Sequence, residues 1–201
     1  MAARLAQLYG GLVLYGVSSS LLVLSGLGLD PWDVFHQGLG KQTGLGIGTW
    51  AILIGAVVLL LWIPLRQRPG LGTVSNVVLI GGTMDVVLWV VPSPHDLTVR
   101  VVCLVAGVFL NGVATGAYIG AGFGPGPRDG LMTGLAARGH SIRVVRTSIE
   151  VTVLVVGWLL GGTVGVGTVV YALSIGPLAH VFIPLFTRIG ARPAPAALEA
   201  V

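Results

Sequence analysis

Carboxylates, guanidinium groups and an imidazole stand at matched positions of an otherwise apolar chain. Asp33 and Asp129 each close the same glycine- and proline-rich motif: Gly26-Leu-Gly-Leu-Asp-Pro-Trp-Asp33 returns as Gly122-Phe-Gly-Pro-Gly-Pro-Arg-Asp129, an offset of 96 residues. Arg128 precedes Asp129 where Trp32 precedes Asp33, and His36 answers to Met132. One residue is then lost, and at an offset of 95 Asp85 answers to His180. Arg143, Arg146 and Glu150 are spaced three and four apart and share one helical face. Their counterparts are Gly48, Ala51 and Gly55, so the charges belong to one copy only. Charged groups in hydrocarbon are costly and mark paths for solutes, ions or protons. The chemistry on offer is recognition of a charged or polar solute, with Asp85 and His180 as a proton-responsive pair. Asp33, Asp85, Arg128, Asp129, Glu150 and His180 are the candidate substrate-binding residues.

Each has a structural alternative. Asp33 and Asp129 read equally as helix-capping residues. Asp85 lies about a turn and a half before Pro92, close enough to an interface for solvation. Arg143 also suits a topology anchor, a role that fits Glu150 less well.

The elements that hold these residues follow from composition. The chain has 201 residues, 54% hydrophobic and 9% charged, with a mean hydropathy of +0.94. Soluble domains are about one quarter charged, so this is an integral membrane protein whose first partner is the lipid bilayer. A spanning helix needs roughly 20 apolar residues, and six such stretches occur, at 5–27, 47–65, 71–91, 98–121, 143–163 and 167–187. The first is read as a retained helix rather than a cleaved signal, because no convincing cleavage site follows it.

With the N-terminus in the cytoplasm, nine basic residues (Arg4, Arg66, Arg68, Arg128, Arg138, Arg143, Arg146, Arg188 and Arg192) fall on the inner side, and Lys41 and Arg100 on the outer. That asymmetry obeys the positive-inside rule and accounts for the net charge of +4 without nucleic acid. Both termini are then cytoplasmic. Trp50, Trp62, Trp89 and Trp158 fall toward span ends, where interfacial anchors sit.

Three spans per copy is an odd number, so the second copy enters the membrane upside down. The expected fold is all-α: a single membrane domain of six transmembrane helices arranged as a 3+3 inverted repeat, 1–94 followed by 95–201. Each half also carries one short helix, interfacial or re-entrant, opening at Pro31 and Pro127. Proline at the first helical position follows a capping residue, Asp30 in one copy and Gly126 in the other. The two amide ends could aim at a central site and receive an anionic group; Asp33 and Asp129 weigh against simple anion binding, and Arg128 offsets them.

Gly112, Gly116 and Gly120 form a small-residue stripe, matched by Gly16 and Ser20. Such stripes mean close helix packing, within the chain or across a homodimer. Tyr15, Ser18, Ser19, Asn76, Asn111, Thr115, Tyr118 and Tyr171 supply uncharged polar groups, read chiefly as bonds between helices. The lone Cys103 excludes an internal disulfide. No nucleotide-binding glycine loop, metal-ligand cluster or nucleophile elbow is present in the sequence, so no cofactor, no metal and no enzyme activity is expected.

Three blocks together carry a family resemblance: Gly26-Leu-Gly-Leu-Asp-Pro-Trp-Asp-Val-Phe-His-Gln-Gly38, Trp62-Ile-Pro-Leu-Arg-Gln-Arg-Pro-Gly-Leu-Gly-Thr73 and Gly124-Pro-Gly-Pro-Arg-Asp-Gly-Leu-Met-Thr-Gly134. With them the chain resembles the YczE/YyaS/YitT-like bacterial membrane proteins over nearly its whole length. The resemblance implies a multi-span protein of the bacterial inner membrane and brings no substrate or catalytic residues with it. Three functions fit these features: a small transporter with its site between the halves and an unidentified small molecule or ion as substrate, a non-transporting scaffold or regulator, and a substrate-capture subunit of a larger transporter.

Overall fold

The computed structural model describes residues 1–190, so Arg192 and the end of the chain lie outside the described residues. Eight α-helices follow in order: α1 (Ala2–Ser25), α2 (Pro31–Thr43), α3 (Ile47–Leu65), α4 (Leu71–Val90), α5 (Leu97–Gly120), α6 (Pro127–Ala136), α7 (Ile142–Leu159) and α8 (Val166–Gly190). Among the described residues there is no strand. Five helices (α1, α3, α4, α5 and α8) are long and apolar enough to cross a membrane. The sixth expected span, α7, is not among these five. It carries three charges, Arg146 and Glu150 half-buried and Arg143 exposed, while Val144, Val151, Trp158 and Leu159 face outward and exposed.

Apolar side chains cover the outside of the bundle, with Leu60, Ile63, Val86, Trp89, Val102 and Leu173 all exposed. Outward apolar surface of this extent is stable only against lipid.

α1 crosses α5 at the centre, and Leu8, Leu12, Leu22, Leu104 and Val108 meet in the main core. The crossing also buries polar groups and satisfies them. Asn111 donates to Ser18 Oγ at 3.0 Å and accepts from the Tyr171 hydroxyl at 3.0 Å. These side chains tie α5 to α1 and α8, the interhelical role expected of them.

The small residues make the close approaches. A Cβ on Gly112, Gly116 or Gly120 would strike Leu178, Phe182 or Phe186 of α8, and one on Gly16 would strike Ile80 and Thr83 of α4. Ser20 bonds back to the Gly16 carbonyl at 2.9 Å. The Gly112 stripe is therefore filled within the chain, and a second copy would have to dock on another face.

The two copies exchange matching bonds. Arg4 Nε donates to the Ala121 carbonyl at 3.1 Å, and Arg100 Nε, 96 positions later, donates to the Ser25 carbonyl at 2.7 Å. Gly72 N–H meets the Phe123 carbonyl at 2.9 Å, and Gly167 N–H meets the Leu27 carbonyl at 2.8 Å. Each guanidinium thus caps the last carbonyls of a helix in the other half, groups that would otherwise be orphaned.

Trp62 departs from its expected place at an interface. It is buried in a second core with Trp32, Val58 and Leu131. Its indole N–H donates to the Pro127 carbonyl at 3.0 Å, and its ring lies where a side chain at Gly130 would otherwise go. Proline breaks no bond at the start of α6, and Trp62 adds a second donor, from α3, to a carbonyl of its first turn. Trp62→Phe is expected to lower stability by about 1–2 kcal/mol, for the lost buried bond and ring volume. A midpoint in denaturant equal to that of the parent protein would remove Trp62 from this role.

One pair of helices breaks the matching. α3 lies along α4, whereas α7 stands off from its neighbour α8. The cause is in the sequence: Gly48 and Gly81 let α3 and α4 touch backbone to backbone. Arg143 replaces Gly48 in the second copy, and a Cβ on Gly176, the counterpart of Gly81, would meet nothing within 4 Å.

Candidate functional site

The gap between α7 and α8 leads into a cavity of about 340 Å³. Its lining brings together the starts of both short helices (Asp30 to Trp32 and Gly126 to Asp129), Tyr15, Tyr118 and Tyr171 from the central helices, and Arg146 and Glu150 at the α7 wall. Volumes of 300 Å³ and upward are typical of small-molecule sites.

Asp30 is the N-cap of α2. Its Oδ1 accepts from Trp32 N at 3.0 Å and from Asp33 N at 3.2 Å, with Pro31 at the first helical position. Asp33, instead of reaching back to a free amide, accepts from His36 Nδ1 at 3.1 Å. With Asp33 ionised and the imidazole neutral, the proton on that bond sits on Nδ1, which leaves His36 Nε2 as an acceptor. α6 starts at Gly126 without a side-chain cap, and Asp129 Oδ2 takes the Tyr118 hydroxyl at 3.1 Å. The chain's own carboxylates therefore occupy the amide end of α2 and stand in the first turn of α6, where an external anion would dock.

Arg128 projects from the start of α6 toward α2. Its guanidinium lies 3.6 Å from Asp30 Oδ1 and 3.8 Å from Asp33 Oδ1, and 4.9 Å from the centroid of the Trp32 ring. Both oxygen distances exceed hydrogen-bonding range, so the group is held by charge and by the indole face. Three buried polar atoms of cavity-lining residues have no partner: Asp30 Oδ2, Trp32 Nε1 and His36 Nε2.

Of the residues singled out in the sequence, Arg128, Asp129 and Glu150 line this cavity, and Asp33 stands behind its wall bonded to His36. Glu150 pairs with Arg146 at 3.0 Å, a bond within α7 that satisfies both charges. Asp85 lies elsewhere. Its Oδ1 accepts from Gly48 N at 2.8 Å and its Oδ2 from the Thr49 hydroxyl at 2.6 Å, so it pins α4 to the start of α3. His180 is exposed on α8, and among the described residues no ion pair joins it to Asp85. Asp30, His36 and Trp32 were the residues that sequence reasoning left out of the site. Asp30 was read only as a cap, and the signal that would have found it is its position opposite Gly126, where the copies differ in charge.

Buried carboxylates, apolar outer surface and five long apolar helices define a multi-pass membrane protein with an internal polar cavity. Comparison with known proteins then places it: residues 2–184 match a family of unknown function, DUF6198, and the chain belongs to that family. It is 42% identical over 179 residues to an uncharacterized protein of Haemophilus influenzae, covering 89% of this chain and 82% of that one. It is 34% identical to the uncharacterized membrane protein YczE of Bacillus subtilis, over 88% of this chain and 83% of the relative. YyaS of the same bacterium is 32% identical over 90% of this chain and 92% of its own. The likeness to YczE and YyaS seen in the three motif blocks thus extends along the chain. No solved structure matches it.

Proposed function

We propose that the protein is a small solute transporter of the bacterial inner membrane, with its substrate site in the cavity where α2 and α6 meet. The observation that carries this reading is the unequal packing around that cavity. Contacts elsewhere recur at matched positions of the two copies, yet α3 is closed on α4 while α7 is open from α8. In a transporter built of inverted repeats, the same contact closed at one membrane face and open at the other is one state of alternating access.

The basic residues set the direction of this state. With the N-terminus cytoplasmic, the Gly48–Gly81 contact and the Asp85 pin lie at the outer end, and the opening beside Arg146 faces the cytoplasm. The second state then has α7 on α8 and α3 away from α4. The backbone contact at Gly48 and the two bonds of Asp85 are few enough to break and remake on each cycle. The role is movement of a bound solute rather than catalysis.

Proteoliposomes given a labelled panel of amines, amino acids, carboxylates and sugars test this, under pH and potential gradients of both signs. At least one solute is expected to cross faster than in protein-free vesicles. Gly176→Trp places a ring in the opening, since a side chain there meets no neighbour. That variant is expected to fold and to lose flux at least tenfold, roughly the cost of a poorly placed group at a closing step. No flux of any panel member, or flux unchanged by Gly176→Trp, removes the reading.

A further inference from the structure

The charges and orphaned atoms of the cavity specify the class of solute, an inference that rests on the same site as the proposed function. Asp30 and Asp33 face one guanidinium, that of Arg128, and a third carboxylate, Asp129, also lines the cavity, bonded to the Tyr118 hydroxyl. The remaining pair at the α7 wall, Arg146 with Glu150, is neutral as a unit. The centre is thus left with an excess of negative charge.

Two of the three unpartnered atoms point the same way; the third, Trp32 Nε1, is a donor that a cation leaves unpaired. Asp30 Oδ2 and His36 Nε2 are acceptors, in residues only 3% and 1% exposed, and both lack a donor. A buried acceptor without a donor costs free energy that a ligand's N–H recovers. The amide end of α2 offers an anion little, because Asp30 Oδ1 already takes two of its N–H groups.

Arg128 shows what shape of group the pocket takes. Its guanidinium is stacked on Trp32 and faces two carboxylates without hydrogen-bonding either. A buried arginine normally engages a carboxylate through direct, often bidentate, bonds. Its side chain is 29% exposed and lines the cavity. We propose that the cavity binds a small organic cation carrying N–H donors, an ammonium or guanidinium compound, which seats on the free oxygen of Asp30 against Trp32 and takes the place of the Arg128 guanidinium. Arg128 is then a tethered competitor: with the ligand bound it swings off the carboxylates, and when the ligand leaves it returns to neutralise them. The occupied and unoccupied states both keep positive charge beside Asp30, which is what a buried carboxylate requires while the helices rearrange.

The experiment is equilibrium binding to the purified full chain in detergent micelles. Agmatine serves as the cationic probe, and glutarate as an anionic probe of similar length. Agmatine is expected to bind and glutarate not. Asp30→Asn keeps the cap of α2, since asparagine caps a helix as well as aspartate does, but removes the charge; agmatine affinity is expected to fall at least about tenfold. Arg128→Gln removes the competitor and is expected to raise agmatine affinity about tenfold. If Arg128→Gln does not purify as a monodisperse protein, Arg128→Lys carries the test, with a rise of about threefold because the stacked fork is lost. Glutarate binding that Arg128→Gln abolishes overturns the proposal, as does agmatine affinity unchanged by Asp30→Asn or lowered by the Arg128 variants. Failure here with flux of some other solute leaves the transporter reading standing. Agmatine binding without flux of any solute does the reverse.

Discussion

Arg128→Met is expected to lower the free energy of unfolding by about 3 kcal/mol, read from SDS titrations of the micellar protein followed by circular dichroism. Among the described residues Arg128 is the only lysine or arginine paired with Asp30 or Asp33. Both carboxylates are almost fully buried. Methionine fills much of the arginine's volume and still packs on Trp32, so the loss reports charge rather than shape. Removing one partner of a buried pair leaves the other charge uncompensated, which is where the destabilisation arises. Arg128→Met combined with Asp33→Asn is expected to recover at least about half of it, since one of the two stranded charges is then gone. The asparagine oxygen still accepts from His36, so the double variant keeps that bond. A single variant within about 0.5 kcal/mol of the parent would show that water in the cavity already screens the pair. It would also remove the reason for a competing cation.

Gly28→Ala is the second large effect, about 3 kcal/mol by the same measurement. Gly28 has φ +124°, a region closed to side chains, and its missing Cβ leaves room for the Thr168 and Gly165 backbone nitrogens at 2.7 and 2.8 Å. The neighbouring bond from Gly167 N–H to the Leu27 carbonyl depends on this approach. The strain and the clash add, because neither the backbone of α1's exit nor the start of α8 can move without the other. Two neighbours calibrate the number. Gly124, the counterpart at φ +112° with Thr73 Oγ1 at 2.8 Å, is expected to cost about the same, by the same argument. Gly26 is also left-handed, at φ +58°, but a Cβ there meets only the movable end of Arg100 at 3.0 Å. Alanine at Gly26 should therefore cost only about 1–2 kcal/mol. Equal losses at Gly26 and Gly28 would mean that backbone strain alone matters and that the contact between the two halves contributes nothing.

These two positions also show what can be read from the chain without its fold. The glycines of the repeated motif stand out in the sequence, and so do Pro31 and Pro127 as helix starts, because turn and capping chemistry are local. The helix ends fell within a few residues of those expected for the same reason. The place of Trp62 did not follow. Its distance from the span end suggested an interface, and its burial depends on a carbonyl of Pro127 that lies 65 residues away. Asp85 and His180 are equivalent in sequence but not in surroundings. Gly48 admits Asp85 to the start of α3, while α7, with Arg143 at the matching position, stands off from α8. Equivalence along the chain therefore located both residues without bringing either to the cavity.

Composition and periodicity by themselves determined a helical membrane protein, two copies of one motif and the residues that differ between them. Hydrophobic length and helix capping act over a few turns, so they survive in the linear order of residues. Only the tertiary structure decided that Arg128 of one copy sits on Asp30, Trp32 and Asp33 of the other, and that Arg4 and Arg100 each cap a helix of the opposite half. Those pairings join residues 75 to 117 positions apart, and they form because buried charges and helix-end carbonyls in a medium without water must find partners wherever the packing brings them.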